Sequence, residues 1–272
     1  MAGPFIAACA QMRCGDDPAV NLAAALRLIA QASRQGAALV VLPEMFHWRG
    51  PAARDVEIAE GLDGLLVGRL AEAARAARIT LVAGSILERH PNGGLPWNTS
   101  LVFGPDGDRL AVYRKIHLFD IDLPAGPRVQ ESERLSPGED PVCVETPVGR
   151  IGLSICYDLR FPELYRQLVA AGAEILCVPS AFTFATGAAH WEVLLRARAI
   201  ENQAWVLAPN QCGPVGHGPK VWGHSQIVDP WGVVVAGAGA GSEALVVATV
   251  DPAETARVRE QLPSLRHRRL PG

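Results

Sequence analysis

No stretch of this sequence is apolar for long enough to span a bilayer, which requires roughly 20 residues, and no run of like charges forms a basic or acidic tail. Net charge is only −3. That balance provides no global field for nucleic acid or an anionic membrane surface, and the cluster Arg266-His267-Arg268-Arg269 reads as a solvated face. The six cysteines, Cys9, Cys14, Cys143, Cys156, Cys177 and Cys212, include no C-x-x-C pair. Their scatter argues against a disulfide framework and against a zinc cluster, so no metal is expected and a reducing compartment fits. The first residues lack the charged segment of a secretory leader, and the expectation is a cytoplasmic protein.

Phosphate and dinucleotide loops are also missing, although two glycine-rich stretches imitate them. Gly213-Pro214-Val215-Gly216-His217-Gly218-Pro219-Lys220 places Pro219 where a phosphate loop needs a backbone donor. It reads as a surface loop. Gly237-Ala238-Gly239-Ala240-Gly241 precedes another apolar strand rather than a helix, so no helix N-terminus is presented to a pyrophosphate. No cofactor is expected.

What is present is an ordinary globular composition, 272 residues with 49% hydrophobic and 19% charged, enough to bury a large core. No linker, repeat or low-complexity tract divides the chain, and one domain over 1–272 is expected. Asp17-Pro18 caps an amphipathic segment with Leu22, Leu26 and Ile29 on one face, closed by Gly36. A buried strand follows at 38–42. The alternation continues with a helix over 66–78 and a strand over 79–86, a helix over 162–171 and a strand over 175–178, then a helix over 191–203 and a strand over 205–208. The residues 254–262 are at best weakly amphipathic. Gly104-Pro105-Asp106-Gly107, Thr146-Pro147-Val148-Gly149 and Asp229-Pro230-Trp231-Gly232 carry hairpin turn chemistry. Helical crossovers mixed with hairpins predict mixed sheets covered by helices, a layered α/β domain.

Cys156 is the position with the most chemistry. It closes the apolar run Ile151-Gly152-Leu153-Ser154-Ile155 and precedes Tyr157-Asp158-Leu159-Arg160-Phe161-Pro162-Glu163, a strand-to-helix junction where free backbone N–H groups stabilise a thiolate or an oxyanion. A buried cysteine is more often a small hydrophobe, so position alone favours packing. Gly152-x-Ser154 lacks the second glycine of a serine-hydrolase elbow, because Cys156 occupies that place. Spacing leaves a Cys-His pair with His117 or His190 open. Glu44, after Leu42-Pro43, and Lys115, after Val112-Tyr113-Arg114, are charged residues at the ends of apolar strands, where a charge needs a partner. Spacing does not show that the three converge.

Taken together, Leu42-Pro43-Glu44, Tyr113-Arg114-Lys115-Ile116-His117-Leu118-Phe119-Asp120 and Ile155-Cys156-Tyr157-Asp158-Leu159-Arg160-Phe161-Pro162-Glu163 resemble, in order, the three motifs of the nitrilase superfamily of carbon–nitrogen hydrolases. The resemblance extends to Gly187-Ala188-Ala189-His190-Trp191 and Trp222-Gly223-His224-Ser225. It implies a four-layer α-β-β-α sandwich and a catalytic set of Glu44, Lys115 and Cys156, with Glu131 in Gln130-Glu131-Ser132 as a second glutamate. The Tyr157 backbone N–H would serve as an oxyanion donor. It further implies no cofactor, a small-molecule amide substrate and a homo-oligomer, commonly a dimer. Within the superfamily the chain is similar to the small amidases that include deaminated-glutathione amidases and ω-amidases. Pro179-Ser180-Ala181-Phe182 and Asn210-Gln211-Cys212-Gly213 lean toward the former, with ω-amidase the alternative. Nitrile hydrolysis and a non-enzymatic module on the same fold are further alternatives. Phe46-His47-Trp48 and the 213–220 loop depart from either pattern and stand as candidates for the pocket border. Arg160, four residues after the thiol, is the expected anchor for a substrate carboxylate, with pairing to Glu163 as its structural alternative.

Overall fold

The computed structural model describes residues 3–122, 128–214 and 217–270. Two sheets carry the chain, and each is built around parallel strands extended by antiparallel ones. In the first, Ala244–Val250, Phe5–Gln11, Ala37–Val41, Thr80–Val82, Trp97–Phe103 and Ile86–Glu88 lie side by side, and Arg109–Arg114 also pairs with Trp97–Phe103. In the second the order is Val234–Gly237, Gln226–Val228, Trp205–Ala208, Ile175–Cys177, Gly149–Leu153 and Cys143–Thr146. Ala7, Cys9, Leu39, Val41 and Val82 of the first sheet share one core with Ile151, Leu153 and Leu207 of the second. The sheets therefore pack face to face.

Helices cover the outer faces. Pro18–Arg34 and Leu65–Ala77 lie on the first sheet, where Leu28, Ile29, Leu70 and Ala74 join Ala8, Val40 and Leu81. Pro162–Ala170 and Phe184–Asn202 cover the second through Leu164, Leu168, Trp191 and Leu195. This is the four-layer α-β-β-α sandwich. No helix among the described residues is long and apolar enough to cross a membrane.

Local chemistry explains most boundaries. Asp17 accepts from the Ala19 and Val20 N–H groups at 2.9 and 3.2 Å, Pro18 opens the helix and Gly36 leaves it at φ +80°. These are the expected cap and stop. The helix turns slightly from the expected face: Ala25, Leu28, Ile29 and Ala32 form its buried row, with Leu22 and Leu26 half-buried beside it. All three turn sequences join antiparallel strands as predicted.

Two boundaries differ from the sequence reading. The predicted 79–86 strand is two strands, Thr80–Val82 and Ile86–Glu88, broken at Gly84. Gly84 has φ +56°, and an added Cβ would overlap the Pro43 carbonyl oxygen, so the break lets the chain close on the turn that carries Glu44. The helix expected from 191 begins at Phe184. Gly187, which reads as a helix breaker, packs where a Cβ would overlap the Trp222 ring, so close packing keeps a glycine inside the helix.

Candidate active site

Strand ends bring the chemistry together. Glu44 follows Ala37–Val41, Lys115 follows Arg109–Arg114 and Cys156 follows Gly149–Leu153. The first two leave one sheet and the third leaves the other, so the residues meet where the two sheets converge. Glu131 joins them from the short 3₁₀ turn Glu131–Glu133.

The Lys115 ammonium lies between two carboxylates, 2.9 Å from Glu44 Oε1 and 2.8 Å from Glu131 Oε2. Glu44 Oε1 also accepts from Asn98 Nδ2 at 2.9 Å, and its Oε2 from the Ala181 N–H at 2.8 Å. Glu131 Oε2 accepts the Phe119 N–H at 2.8 Å. Lys115 is 1% exposed, so a lone charge there would be prohibitive; two carboxylates and the surrounding donors make it tenable. Burial alone would push the Glu44 carboxyl up, but the Lys115 charge, the Cys156 thiol, and the Lys115 and Ala181 N–H donors outweigh it and hold it below the ordinary range. Burial also works against the Lys115 ammonium, and the charges of Glu131 and Glu44 reverse that effect and raise its pKa.

Cys156 opens a 3₁₀ turn, Cys156–Arg160, rather than the helix itself, which begins later at Pro162. The expected helix N-terminus beside the thiol is therefore replaced by this turn. Cys156 has φ +48°, a left-handed conformation unusual for a residue with a side chain. Such strain costs about 1–3 kcal/mol and persists where the surroundings enforce it. Here the Cys156 N–H donates to the Pro179 carbonyl at 2.9 Å, and the Tyr157 N–H has no acceptor among the described residues. Met45, directly after Glu44, is likewise at φ +48°, its N–H held by Ser85 Oγ at 3.0 Å. Burial pushes the Cys156 thiol up, the Glu44 charge adds to this, and Lys115 opposes it, so the resting group is a thiol. A preformed thiolate, one of the options at such a junction, is not the resting state here.

Asp158 ties the Lys115 segment to the Cys156 turn. Fully buried, its carboxylate accepts from Tyr113 Oη at 2.6 Å, Ile155 N–H at 2.8 Å and His117 N–H at 3.1 Å, and faces His117 Nδ1 at 2.7 Å. Asp158→Ala strands these donors in the core. It is expected to lower stability by about 3–5 kcal/mol, read as a fall in the urea midpoint against wild type; an unchanged midpoint would remove the strap from the account.

The four residues open onto a cavity of about 320 Å³, in the range of small-molecule sites. Met45, Trp48, Arg49, Phe119, Tyr157 and Phe182 form much of its wall, and His217, Gly218 and Pro219 also line it. Of the two departing segments, Trp48 and part of the 213–220 loop thus border the cavity, while Phe46 and His47 do not line it; Val215 and Gly216 of that loop lie outside the described residues. Phe182 packs against Trp191, with centroids 5.0 Å apart, and Phe184 lies edge-on to Trp222. Among the described residues no group of three His, Cys, Asp or Glu side chains is arranged to hold a metal ion.

Three sequence candidates fall elsewhere. His117 is stacked on Phe161 at 3.6 Å and bound to Asp158, and His190 meets Arg160, so neither faces the cavity with the thiol. Arg160 does not line the cavity either. Its guanidinium lies 5.7 and 5.4 Å from the Tyr157 and Phe182 ring centroids and reaches His190 Nδ1 at 3.3 Å, which leaves it a support for those two rings. The carboxylate-anchoring role expected of Arg160 is corrected on that geometry, and the Glu163 alternative finds no ion pair. Sequence reading missed Asn98, Asp158 and Arg49. Asn98 had a faint signal, in that Asn98-Thr99-Ser100 is a polar run inside an otherwise apolar strand.

A strained cysteine beside a paired glutamate and lysine, at the convergent strand ends of an α-β-β-α sandwich, defines a carbon–nitrogen hydrolase of the nitrilase superfamily. The family model for carbon–nitrogen hydrolase matches residues 6–260, and the chain belongs to that family. It is 44% identical to the omega-amidase NIT2 of Xenopus tropicalis over 92% of this chain and 89% of that one. It is 42% identical to the deaminated glutathione amidase of Synechocystis sp. (strain PCC 6803 / GT-S) over 97% and 98% of the two chains. Among solved structures, Saccharomyces cerevisiae Nit3, a member of branch 10 of the nitrilase superfamily, superimposes with a TM-score of 0.89 at 34% identity, covering 98% and 97%. The protein is therefore an amidase-type hydrolase, and its relatives carry both of the names between which the sequence leaned.

Proposed function

We propose that this enzyme hydrolyses the amide of a small carboxylic acid through a thioester on Cys156, with Glu44 as base and acid. What supports the reading is the Glu44 carboxylate, paired with Lys115 at 2.9 Å and held below the ordinary range, in the same cavity as the Cys156 thiol whose pKa its charge raises. Glu44 takes that proton as the sulfur attacks the amide carbon, so a nucleophile forms only as the bond forms. The developing oxyanion is received by the Lys115 ammonium and the Tyr157 N–H. Collapse of the tetrahedral adduct breaks the C–N bond, and ammonia, or the peptide amine where the substrate is a secondary amide such as deaminated glutathione, departs with the proton that Glu44 returns. A water then gives its proton to Glu44 and attacks the thioester carbon; the C–S bond breaks, Glu44 passes that proton to the departing sulfur, the carboxylic acid leaves and both the thiol and the Glu44 carboxylate are restored. Glu131 holds Lys115 in place throughout.

Similarity favours an ω-amide substrate, since the relatives are named for omega-amidase and deaminated glutathione amidase activities at nearly equal identity. The two readings are separated by kcat/KM for deaminated glutathione against 2-oxoglutaramate, with simple nitriles as a third arm. A cytoplasmic location and a homodimer remain part of the proposal, tested by fractionation and by the solution mass.

The charge states predict the pH profile. Glu44 must be ionised to accept the thiol proton, and its pKa is depressed below 4.5. Activity is therefore present above that value and lost as pH falls through it. Lys115 is raised above 10.5 and Cys156 above 9.0, so neither changes state at neutral pH. kcat/KM for an uncharged amide is expected to be flat from about pH 5.5 to 8.5. An inflection near pH 6.5 would point to a histidine base instead.

A further inference from the structure

One cation in the cavity wall stands unmatched among the described residues, and the role drawn for it below rests on the amidase reading. Each of the other cations there is matched. Lys115 has Glu44 and Glu131, and Arg134 Nε lies 3.1 Å from Asp55 Oδ2. Arg49 is different. Among the described residues its guanidinium forms no ion pair and no side-chain hydrogen bond, and its Nε is buried without a partner. Burial works against its charge, and the carboxylate of Glu44, committed to Lys115, offsets this only in part.

The scaffold around Arg49 is built to hold it there. Its N–H donates to the Gly15 carbonyl at 2.9 Å, and Gly15 is clamped in turn by the Asn21 side chain, through its N–H and its carbonyl at 2.9 Å each. The preceding Trp48 is pinned through Nε1 to Asp55 Oδ1 at 3.0 Å. Across the cavity mouth, a Cβ on Gly218 would sit 3.4 Å from Arg49 Nη2, so the 217–219 segment passes directly over the guanidinium. Arg49 as a residue is half-buried with its Nε fully buried, and a cation drawn this far from water without a partner costs free energy unless an anion joins it. A planar guanidinium with free donors is suited to a carboxylate.

We propose that Arg49 is the specificity-determining anchor for a carboxylate at the far end of the substrate, selecting amides of dicarboxylic acids over neutral amides. The substrate would place its amide carbon at Cys156 and its carboxylate on Arg49, under the 217–219 segment. This is the role the sequence assigned to Arg160. The dicarboxylate half-amide also releases a dicarboxylate, so the product binds through the same contact and its affinity reports on Arg49 without turnover.

The test compares wild type, Arg49→Gln and Arg49→Lys in kcat/KM for glutaramate and for valeramide, its neutral counterpart. Arg49→Gln is expected to lower the glutaramate to valeramide ratio at least 30-fold, mostly through KM, and Arg49→Lys to retain part of it. Calorimetric binding of glutarate is expected to weaken at least tenfold in Arg49→Gln, with a urea midpoint no lower than that of wild type showing that the fold is intact. A ratio within threefold of wild type, or glutarate affinity independent of Arg49, overturns the anchor while the amidase reading stands. Absence of ammonia or amine release from every amide, deaminated glutathione included, with glutarate binding still dependent on Arg49, overturns the amidase reading and leaves the anchor.

Discussion

Cys156→Ala is expected to lower C–N hydrolysis of any amide substrate, read as ammonia or amine release, by about 10⁴-fold or more, the scale of losing a nucleophile from a coupled catalytic unit. Its fold should survive, because the change removes a single sulfur and relieves no contact that the turn depends on: the backbone N–H to Pro179 and the Asp158 strap remain. The strained φ of +48° also remains with alanine, so stability should change little. Incubation of wild type with amide and hydroxylamine should yield a hydroxamate, and the alanine variant should yield none. Near-normal turnover in Cys156→Ala would end the thioester mechanism.

Glu44→Gln should cost about 10²–10⁴-fold in kcat, the range for removing a positioned general base, and the structure adds a second reason. Oε1 accepts from Lys115 and Asn98, and Oε2 accepts from the Ala181 N–H. A glutamine has only one oxygen, so its amide NH₂ must face either the Ala181 donor or the Lys115 and Asn98 donors. That donor-to-donor opposition costs about 1–3 kcal/mol and leaves Lys115 with Glu131 alone. The variant should therefore be both slower and less stable, and it should lose the pH dependence assigned to Glu44 below 4.5. If Glu44→Gln instead forms and hydrolyses the thioester at the wild-type rate, the base lies elsewhere in the cavity, and His217 is the side chain to examine.

The two effects differ in origin, which separates them experimentally. Loss of the thiol removes the bond-forming atom and leaves the charges of the cluster in place. Loss of the carboxylate leaves the thiol but removes its proton acceptor, so chemical modification of Cys156 by an alkylating amide analogue should slow in Glu44→Gln rather than vanish.

The three motifs made much of this site legible. By position alone Cys156 read as packing and Glu44 and Lys115 as charges at strand ends in want of a partner; the order of the motifs is what joined them into one set. Turn chemistry was equally readable, because Pro and Gly dictate local backbone angles with no help from distant residues. The helix at Phe184–Asn202 was legible only in its second half, since the glycine in its first half is explained by Trp222, thirty-five positions away. Asp158 resembled one more polar residue in a motif; its meaning depends on Tyr113 and His117, which reach it from Arg109–Arg114 of the other sheet and from the loop beyond.

Arg160 and Arg49 mark the boundary most clearly. Four residues after a nucleophile looked like reach of the substrate, yet a 3₁₀ turn directs Arg160 onto Tyr157 and Phe182, while Arg49, with no motif to single it out, enters the cavity wall because Trp48 and Gly15 hold its backbone. Residue order and local backbone preference by themselves determined the layered α/β class, the hairpins and the identity of the chemically unusual residues. Only the tertiary structure decided which of them share a cavity, which protons they hold and which cation is left without a partner, because charge states and reach are set by burial and by neighbours far away in sequence.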